Sequence, residues 1–316
     1  MKKKTSTPKK PKTISIVIPV YNEAENIPIL LDHLKPVLED LPHTFEIFFV
    51  DDGSSDGSWQ VIQMLKQANR KIITGIRLSR NFGKEAALCA GLQYAKGDAC
   101  VVMDADLQHP PAKIKDMIDL WLSGKYDIVN GKKRLRGEEG ASSRILRSLF
   151  NRVLSRATGL DFVGASDFKL LDRKVIDTFL RLTERETFFR GLIEWIGFRK
   201  THVLYDVEKR VGGTTKWSFF RLVALSFTAI TSFSSLFLRA ITIAGCVFFL
   251  FAVILGIQTL YNYFSGKAIG GFTTVILLIL ISTGMTMLSL GLVGEYLAKV
   301  FNEVKQRPRF IIGERI

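Results

Sequence analysis

Apolar and polar positions follow two alternating rhythms along the first two thirds of the chain. Short runs rich in β-branched residues, at 14–20, 45–50, 72–78, 99–103 and 126–130, read as strands. Between them apolar residues recur at helical spacing, as Ile27, Leu30, Leu31 and Leu34 do before Glu39. The same rhythm predicts helices ending near Asn69, running from Lys84 through Ala95, and starting near Ala112. Further helices are predicted over 173–181 and 187–195, then a strand near 201–206. Alternating strands and helices predict an α/β domain whose mostly parallel sheet is covered on both faces.

From Trp217 the rhythm is lost. Residues 217–236 mix aromatics with Ser and Thr around a single charge, Arg221, and fit either an interfacial or a buried helix. Residues 240–260 and 271–294 form uncharged runs of 21 and 24 residues, each long enough for the roughly 20 needed to cross a bilayer. Arg210, Lys216, Arg221 and Arg239 precede the runs and Lys299, Lys305, Arg307 and Arg309 follow, against only Lys267 between them. The positive-inside rule then predicts a two-helix membrane hairpin with both flanks in the cytosol. The alternative is a core hairpin of a soluble protein. The expected layout is a basic arm at 1–12, an α/β domain at 13–216, interfacial helices at 217–239, two membrane helices at 240–297 and a cytosolic tail at 298–316.

Charge adds a partner to this picture. The 316-residue chain carries a net charge of +14, which calls for an anionic partner: nucleic acid, a phosphate-bearing substrate or a lipid surface. Lys2, Lys3, Lys4, Lys9, Lys10 and Lys12 make the first residues a disordered basic arm, without the apolar core of a secretion signal. Cys89, Cys100 and Cys246 have neither metal nor disulfide spacing, as befits a reducing compartment.

Candidate chemistry collects where strands end. In parallel sheets ligands bind beyond the carboxyl ends of strands, and there lie Tyr21 and Glu23, Asp51 and Asp52, and Asp104 and Asp106. Around the last pair, an apolar run gives way to Asp104-Ala105-Asp106-Leu107-Gln108-His109-Pro110. In extended backbone Asp104, Asp106 and Gln108 point the same way, so three oxygen donors can meet one hard cation, Mg²⁺ or Mn²⁺. A solvated turn whose aspartates cap the next helix is the alternative. Asp51 and Asp52 are placed to accept hydrogen bonds from a base or ribose.

Three familiar motifs are excluded. Asp52, Ser54, Asp56 and Gly57 imitate a calcium loop, but Gln63 stands where its bidentate Glu belongs. Neither a dinucleotide-binding glycine fingerprint nor a Walker sequence follows the first strand. Farther on, Lys132, Lys133, Arg134 and Arg136 precede an amphipathic stretch at 142–157 with Arg144, Arg147, Arg152 and Arg156 largely opposite its apolar stripe. It can lie on an anionic membrane or grip a phosphate, or simply pack as a solvated helix. Asp167 is an isolated acid in an apolar setting, and the cationic glycine loop at 208–216 has the makings of a flap over a diphosphate.

Together, Ile18-Pro19-Val20-Tyr21-Asn22-Glu23, Val50-Asp51-Asp52-Gly53-Ser54-Ser55-Asp56 and Met103-Asp104-Ala105-Asp106-Leu107-Gln108-His109-Pro110 resemble family 2 glycosyltransferases of the GT-A fold. Within them the chain is most similar to the dolichol-phosphate-mannose-synthase-like branch, and there to bacterial polyprenyl-phosphate glycosyltransferases with two C-terminal membrane helices. The likeness spans about residues 13–310. It implies inverting transfer of a sugar from a UDP-sugar to polyprenyl phosphate at the inner membrane, with Mg²⁺ or Mn²⁺ as cofactor. Glucose is the first choice of sugar; N-acetylhexosamines and modified pentoses fit as well. The resemblance also implies a homo-oligomer, with a tetramer as one form.

Carried over residue by residue, the resemblance gives Pro19, Tyr21, Glu23, Asp51, Asp52, Lys84, Asp104, Arg210 and Lys216 to the nucleotide sugar. Asp104, Asp106 and Gln108 would hold the metal, and Lys133, Arg134 and Arg147 the lipid phosphate. Asp167 and Asp106 would be the catalytic acids, Asp167 either as a base or as a group orienting acceptor or sugar hydroxyls. Three rivals remain: a processive polysaccharide synthase, a membrane regulator that binds nucleotide sugar without turnover, and a nucleic-acid binder. The Gln-x-x-Arg-Trp motif of the first is absent, and acidic strand ends with membrane spans speak against the last.

Overall fold

The computed structural model describes residues 10–134, 166–185, 188–206, 236–266 and 271–316. Among the described residues eight strands form one sheet: β1 (Thr13–Val20), β2 (Thr44–Asp51), β3 (Ile73–Leu78), β4 (Ala99–Val102), β5 (Ile128–Lys133), β6 (Lys169–Asp172), β7 (Lys200–Tyr205) and β8 (Ile312–Arg315). Their order across the sheet is β7-β5-β6-β4-β1-β2-β3-β8. β1 is parallel to β2 and β4, β2 to β3, and β5 to β7, whereas β6 and β8 run antiparallel to their neighbours. The expected mostly parallel sheet is therefore present.

Helices α1 (Asn26–Glu39), α2 (Ser58–Ala68), α3 (Lys84–Tyr94) and α4 (Lys113–Leu122) follow the first four strands, and α5 (Arg173–Arg181) and α6 (Phe189–Trp195) follow β6. Ile14, Ile16, Ile18 and Val20 of β1 share a core with Ile27, Leu30 and Leu34 of α1 and Ile114 and Met117 of α4. Period-2 alternation sends the other side chains of β1 to the opposite face. There a Cβ on Gly91 of α3 would lie 2.4 Å from Val17 Cγ1, so helix and strand approach more closely than any larger residue permits.

Two strands were not expected. No strand is predicted around Asp167, yet Lys169–Asp172 pairs with both β4 and β5. The segment predicted as a cytosolic tail supplies β8, which pairs with β3 at the sheet edge. Residues 307–316 accordingly belong to the same compact unit as the sheet. The second unit holds α7 (Leu236–Phe264) and α8 (Phe272–Val304). Both are long and apolar enough to cross a membrane, over Ile241–Phe264 and Leu278–Val304, and those windows are not buried within the protein. The second span starts and ends later than the 271–294 run, taking in Glu295 and Lys299. Residues 1–9 of the expected arm, the amphipathic stretch at 142–157, the cationic loop at 208–216 and residues 217–235 of the expected interfacial segment lie outside the described residues; of the rest, Lys12 pairs with Asp98 at 3.1 Å and 236–239 open α7.

Candidate active site

The site is assembled at the carboxyl edge of the parallel strands. β1 ends at Val20, after which Tyr21 is 48% exposed and Asn22 takes a left-handed φ of 56°. This turn is fastened to the loop after β2 by that loop's own polar side chains. The Asn22 amide donates to Ser54 Oγ (2.9 Å), that of Glu23 to Ser58 Oγ (3.0 Å) and that of Ala24 to Asp56 Oδ2 (3.1 Å), while Ser55 N–H reaches Asn22 Oδ1. The calcium-like spelling of the segment is thus a clamp between two loops. Gly53, at φ 70°, is obligatory there, since a Cβ would lie 2.6 Å from the Arg80 carbonyl carbon.

Asp51 and Asp52 are buried. Asp51 Oδ1 accepts from Ser54 N–H (2.9 Å), and its Oδ2 lies 3.3 Å from Arg77 Nε. Asp52 accepts from the amides of Phe82 (2.7 Å) and Gly83 (2.9 Å). Burial pushes the Asp52 carboxyl up, against the lowering effect of those two amides. In this structure the pair is engaged with protein donors, and Asp52 sets the loop that begins α3. Pro19 is buried in β1, two residues past the last pairing with β4, and the Glu23 carboxylate accepts from Asn26 Nδ2.

That loop delivers Lys84. Its ammonium is 2.5 Å from Asp104 Oδ1 and 2.6 Å from Asp167 Oδ2, although 39% of the side chain remains exposed. Burial works against the ammonium, but Asp104 and Asp167 outweigh it and raise its pKa. The segment from Asp104 to Gln108 is not the one extended run expected, since the chain bends over 105–107. β4 stops at Val102 and the chain bends, with Leu107 at φ 62°. The alternation survives in burial: Met103, Ala105, Leu107 and His109 are buried while Asp104, Asp106 and Gln108 are half-buried. The turn is held by the Gln108 amide on Asp106 Oδ1 (3.1 Å) and the Asp104 amide on His109 Nδ1 (3.0 Å). The imidazole stacks on Phe168 at 5.1 Å, and burial pushes its pKa down, which suits an accepting Nδ1.

Asp167 reaches the same place from the opposite strand direction. Because β6 is antiparallel to β4, its start rather than its end lies at this edge, and Asp167 immediately precedes it. The carboxylate is only 4% exposed. Arg190 of α6 grips it at two points, Nε to Oδ1 at 2.5 Å and Nη2 to Oδ2 at 2.7 Å. Burial opposes its charge, yet the Arg190 fork and the Lys84 ammonium hold the carboxyl well below the usual range. Beyond, Lys133 Nζ lies 3.5 Å from Gln108 Oε1, and Arg134 pairs with Asp206 at 3.5 Å on the surface. Arg147, Arg210 and Lys216 lie outside the described residues.

The structure therefore joins Lys84, Asp104 and Asp167 in one charge cluster, with Asp106, Gln108 and Lys133 alongside. Sequence reasoning missed Arg190. Its one signal was an arginine set between Phe189 and Gly191 in an otherwise apolar stretch.

The chain as a whole is similar to known proteins. Residues 15–180 match the family described as glycosyl transferase family 2. An uncharacterized glycosyltransferase of Synechocystis is 40% identical over 306 residues, covering 95% of each chain. The SfII prophage-derived bactoprenol glucosyl transferase of Shigella flexneri is 34% identical, over 95% of this chain and 97% of its own. Among solved structures, a mannosyltransferase of Pyrobaculum calidifontis in complex with GDP-Man and Mn²⁺ is similar in fold. It has a TM-score of 0.51 at 19% identity, over 71% of this chain and 64% of that one.

Proposed function

Since the chain belongs to glycosyl transferase family 2, we propose that it transfers glucose from UDP-glucose to a polyprenyl phosphate, with inversion at the anomeric carbon. The observation that carries this reading is Lys84 bridging Asp104 and Asp167 at the strand ends. The choice of sugar and lipid rests on similarity, over nearly the full chain, to a relative named bactoprenol glucosyl transferase. In the reaction the bond from the anomeric carbon to the donor diphosphate breaks, and a bond to an acceptor phosphate oxygen forms. UDP departs with the bonding electron pair. The acceptor is a phosphate monoester with a second pKa near ~6, so at neutral pH it is mostly a dianion and needs little deprotonation.

The donor set fits a hard divalent cation. Asp104 Oδ1 is buried and outside hydrogen-bond geometry with any described group, although Lys84 is in ionic contact with it. Among the described residues no group of three or more His, Cys, Asp or Glu side chains converges. One or two carboxylates completed by substrate phosphates is the pattern of Mg²⁺ and related ions. Asp104, Asp106 and Gln108 would hold it. When bound, such an ion neutralises charge on the leaving diphosphate.

The protein's own residues do the remaining work. Lys84 offers a fixed cation beside Asp104, where diphosphate charge would develop. Tyr21 presents an exposed ring at the strand edge to the nucleotide, and the buried Asp51 and Asp52 set the loops around it. Lys133 and Arg134 are assigned to the acceptor phosphate, joined there on the strength of the family resemblance by Arg147, while Arg210 and Lys216 are assigned to the nucleotide sugar. The two apolar helices would bring the site to the bilayer that holds the acceptor, with the α/β domain on the cytosolic side.

The test uses the full-length protein in detergent with undecaprenyl phosphate, a panel of UDP- and GDP-sugars, and Mg²⁺ or Mn²⁺. UDP-glucose is expected to yield a lipid-linked sugar, and Asp104→Asn to lose at least about a hundredfold in kcat. Absence of lipid-linked product with every donor would overturn the reading.

A further inference from the structure

Helix α6 is only seven residues long but is fastened on both sides of Arg190. At its start the Phe189 amide donates to Glu85 Oε2 of α3 (2.8 Å), and the Phe189 ring packs edge-on against Phe179 at 5.5 Å. At its end Glu194 accepts from Asn130 Nδ2 (3.3 Å) and pairs with Lys200. Below it the fully buried Lys169 donates to Asn130 Oδ1 (2.7 Å) and lies 3.9 Å from Glu194. These are costly groups to bury, and they are tolerated because each has partners. Their common effect is to fix where α6 stands, and so where the Arg190 guanidinium can reach.

What it reaches is the carboxylate that also holds Lys84. A planar guanidinium in a two-point grip fixes the plane of its partner as well as its charge. Lys84, which shares Asp167 Oδ2 with Arg190 Nη2, is then aimed at Asp104 from a fixed support. A carboxylate held by two cations is a poor proton acceptor, since a general base works best with a pKa near the operating pH.

We propose that Arg190 is a positioning residue of the transfer site: it locks the Asp167 carboxylate so that Asp167 orients Lys84 beside Asp104 instead of taking a proton from the acceptor. The proposal rests on the reading of this cluster as the donor site. It replaces the base role left open for Asp167 with a third one, the orientation of Lys84, and it extends the site to α6 and its Glu85 and Glu194 fastenings.

If Arg190 acts through Asp167, the two residues form one unit and their losses do not add. The test compares Arg190→Gln, Asp167→Asn and the double variant as full-length proteins in detergent, on whichever donor and acceptor the wild type turns over. Arg190→Gln is expected to lower kcat about a hundredfold. The dissociation constant for UDP with Mn²⁺, read by calorimetry, should stay within about twofold of wild type. In the Asp167→Asn background the same change is expected to cost less than about threefold. Arg190→Lys, which keeps the charge but not the fork, should recover only part of the loss. Losses that multiply in the double variant would overturn the proposal, as would an unaltered kcat in Arg190→Gln. About tenfold weaker UDP binding in Arg190→Gln would also overturn it, by making Arg190 a direct donor ligand. If the wild type proves to use a different sugar or acceptor, the proposed function fails while the cycle still reads the Arg190–Asp167 pair.

Discussion

At the scale of residues, the same chemistry serves two purposes that spelling alone does not separate. Asp127, like Asp167, is a buried carboxylate held by two cations, here Arg199 at 2.9 Å and Lys174 at 2.7 Å. It lies at the start of β5, on the edge opposite the site, and its role is stability. The Arg199 guanidinium, with Lys174 and against a burial effect, holds it at about 2 rather than the usual 3.8. A depressed carboxyl contributes stability above its unfolded pKa and loses it as pH falls through the folded one. Asp127→Asn is therefore expected to destabilise the protein by about 1–2 kcal/mol at pH 7, after allowing for screening at the exposed cations. The deficit should vanish as pH falls from 4 toward 2; thermal unfolding across that range measures it. Asp104, Asp106 and Asp167 were legible as candidates because an acid beside an apolar run demands a reason. Arg190 was not, since its partner lies 23 positions away and only the fold brings the two together.

At the scale of elements, periodicity located the parallel strands and helices well and missed the two antiparallel strands. β6 and β8 are four residues each, as β4 is, but β4 is an unbroken apolar run whereas β6 (Lys-Leu-Leu-Asp) and β8 (Ile-Gly-Glu-Arg) carry charges within the strand and show neither such a run nor a clear alternation. One matters to the site and the other to the sheet edge. β6 carries Asp167 to the carboxyl edge because it runs against its neighbours. β8 covers the open edge of β3, where Glu314 Oε2 accepts from Trp59 Nε1 at 3.0 Å and Ile316 exchanges backbone hydrogen bonds with Gly75. An uncovered edge strand invites pairing with other chains. Deleting residues 310–316 is expected to cost on the order of 2–4 kcal/mol from lost hydrogen bonds and apolar burial. It should also promote aggregation. An unchanged melting temperature and sedimentation profile would show that β8 contributes nothing.

At the scale of the whole molecule, the chain leaves the α/β unit, forms two long apolar helices and returns to the same sheet through β8. If both helices span the bilayer, both connections to the sheet lie on one side, in keeping with the charge bias at Arg239 and Lys305 against Lys267. Lys267→Cys, in a background without the natural cysteines, is then expected to react with a membrane-impermeant maleimide in intact cells. Gln306→Cys should react only after permeabilisation, and labelling of both in intact cells would reject the hairpin. The sequence by itself determined the α/β class, the strand ends that bear acids, and the apolar runs, because these depend on local periodicity and on the cost of burying charge. Only the tertiary structure decided that Asp52 supports a loop, that a supposed tail is a strand, and that Arg190 grips Asp167. Those outcomes depend on which distant backbone groups and charges meet across the sheet, and no local pattern records such meetings.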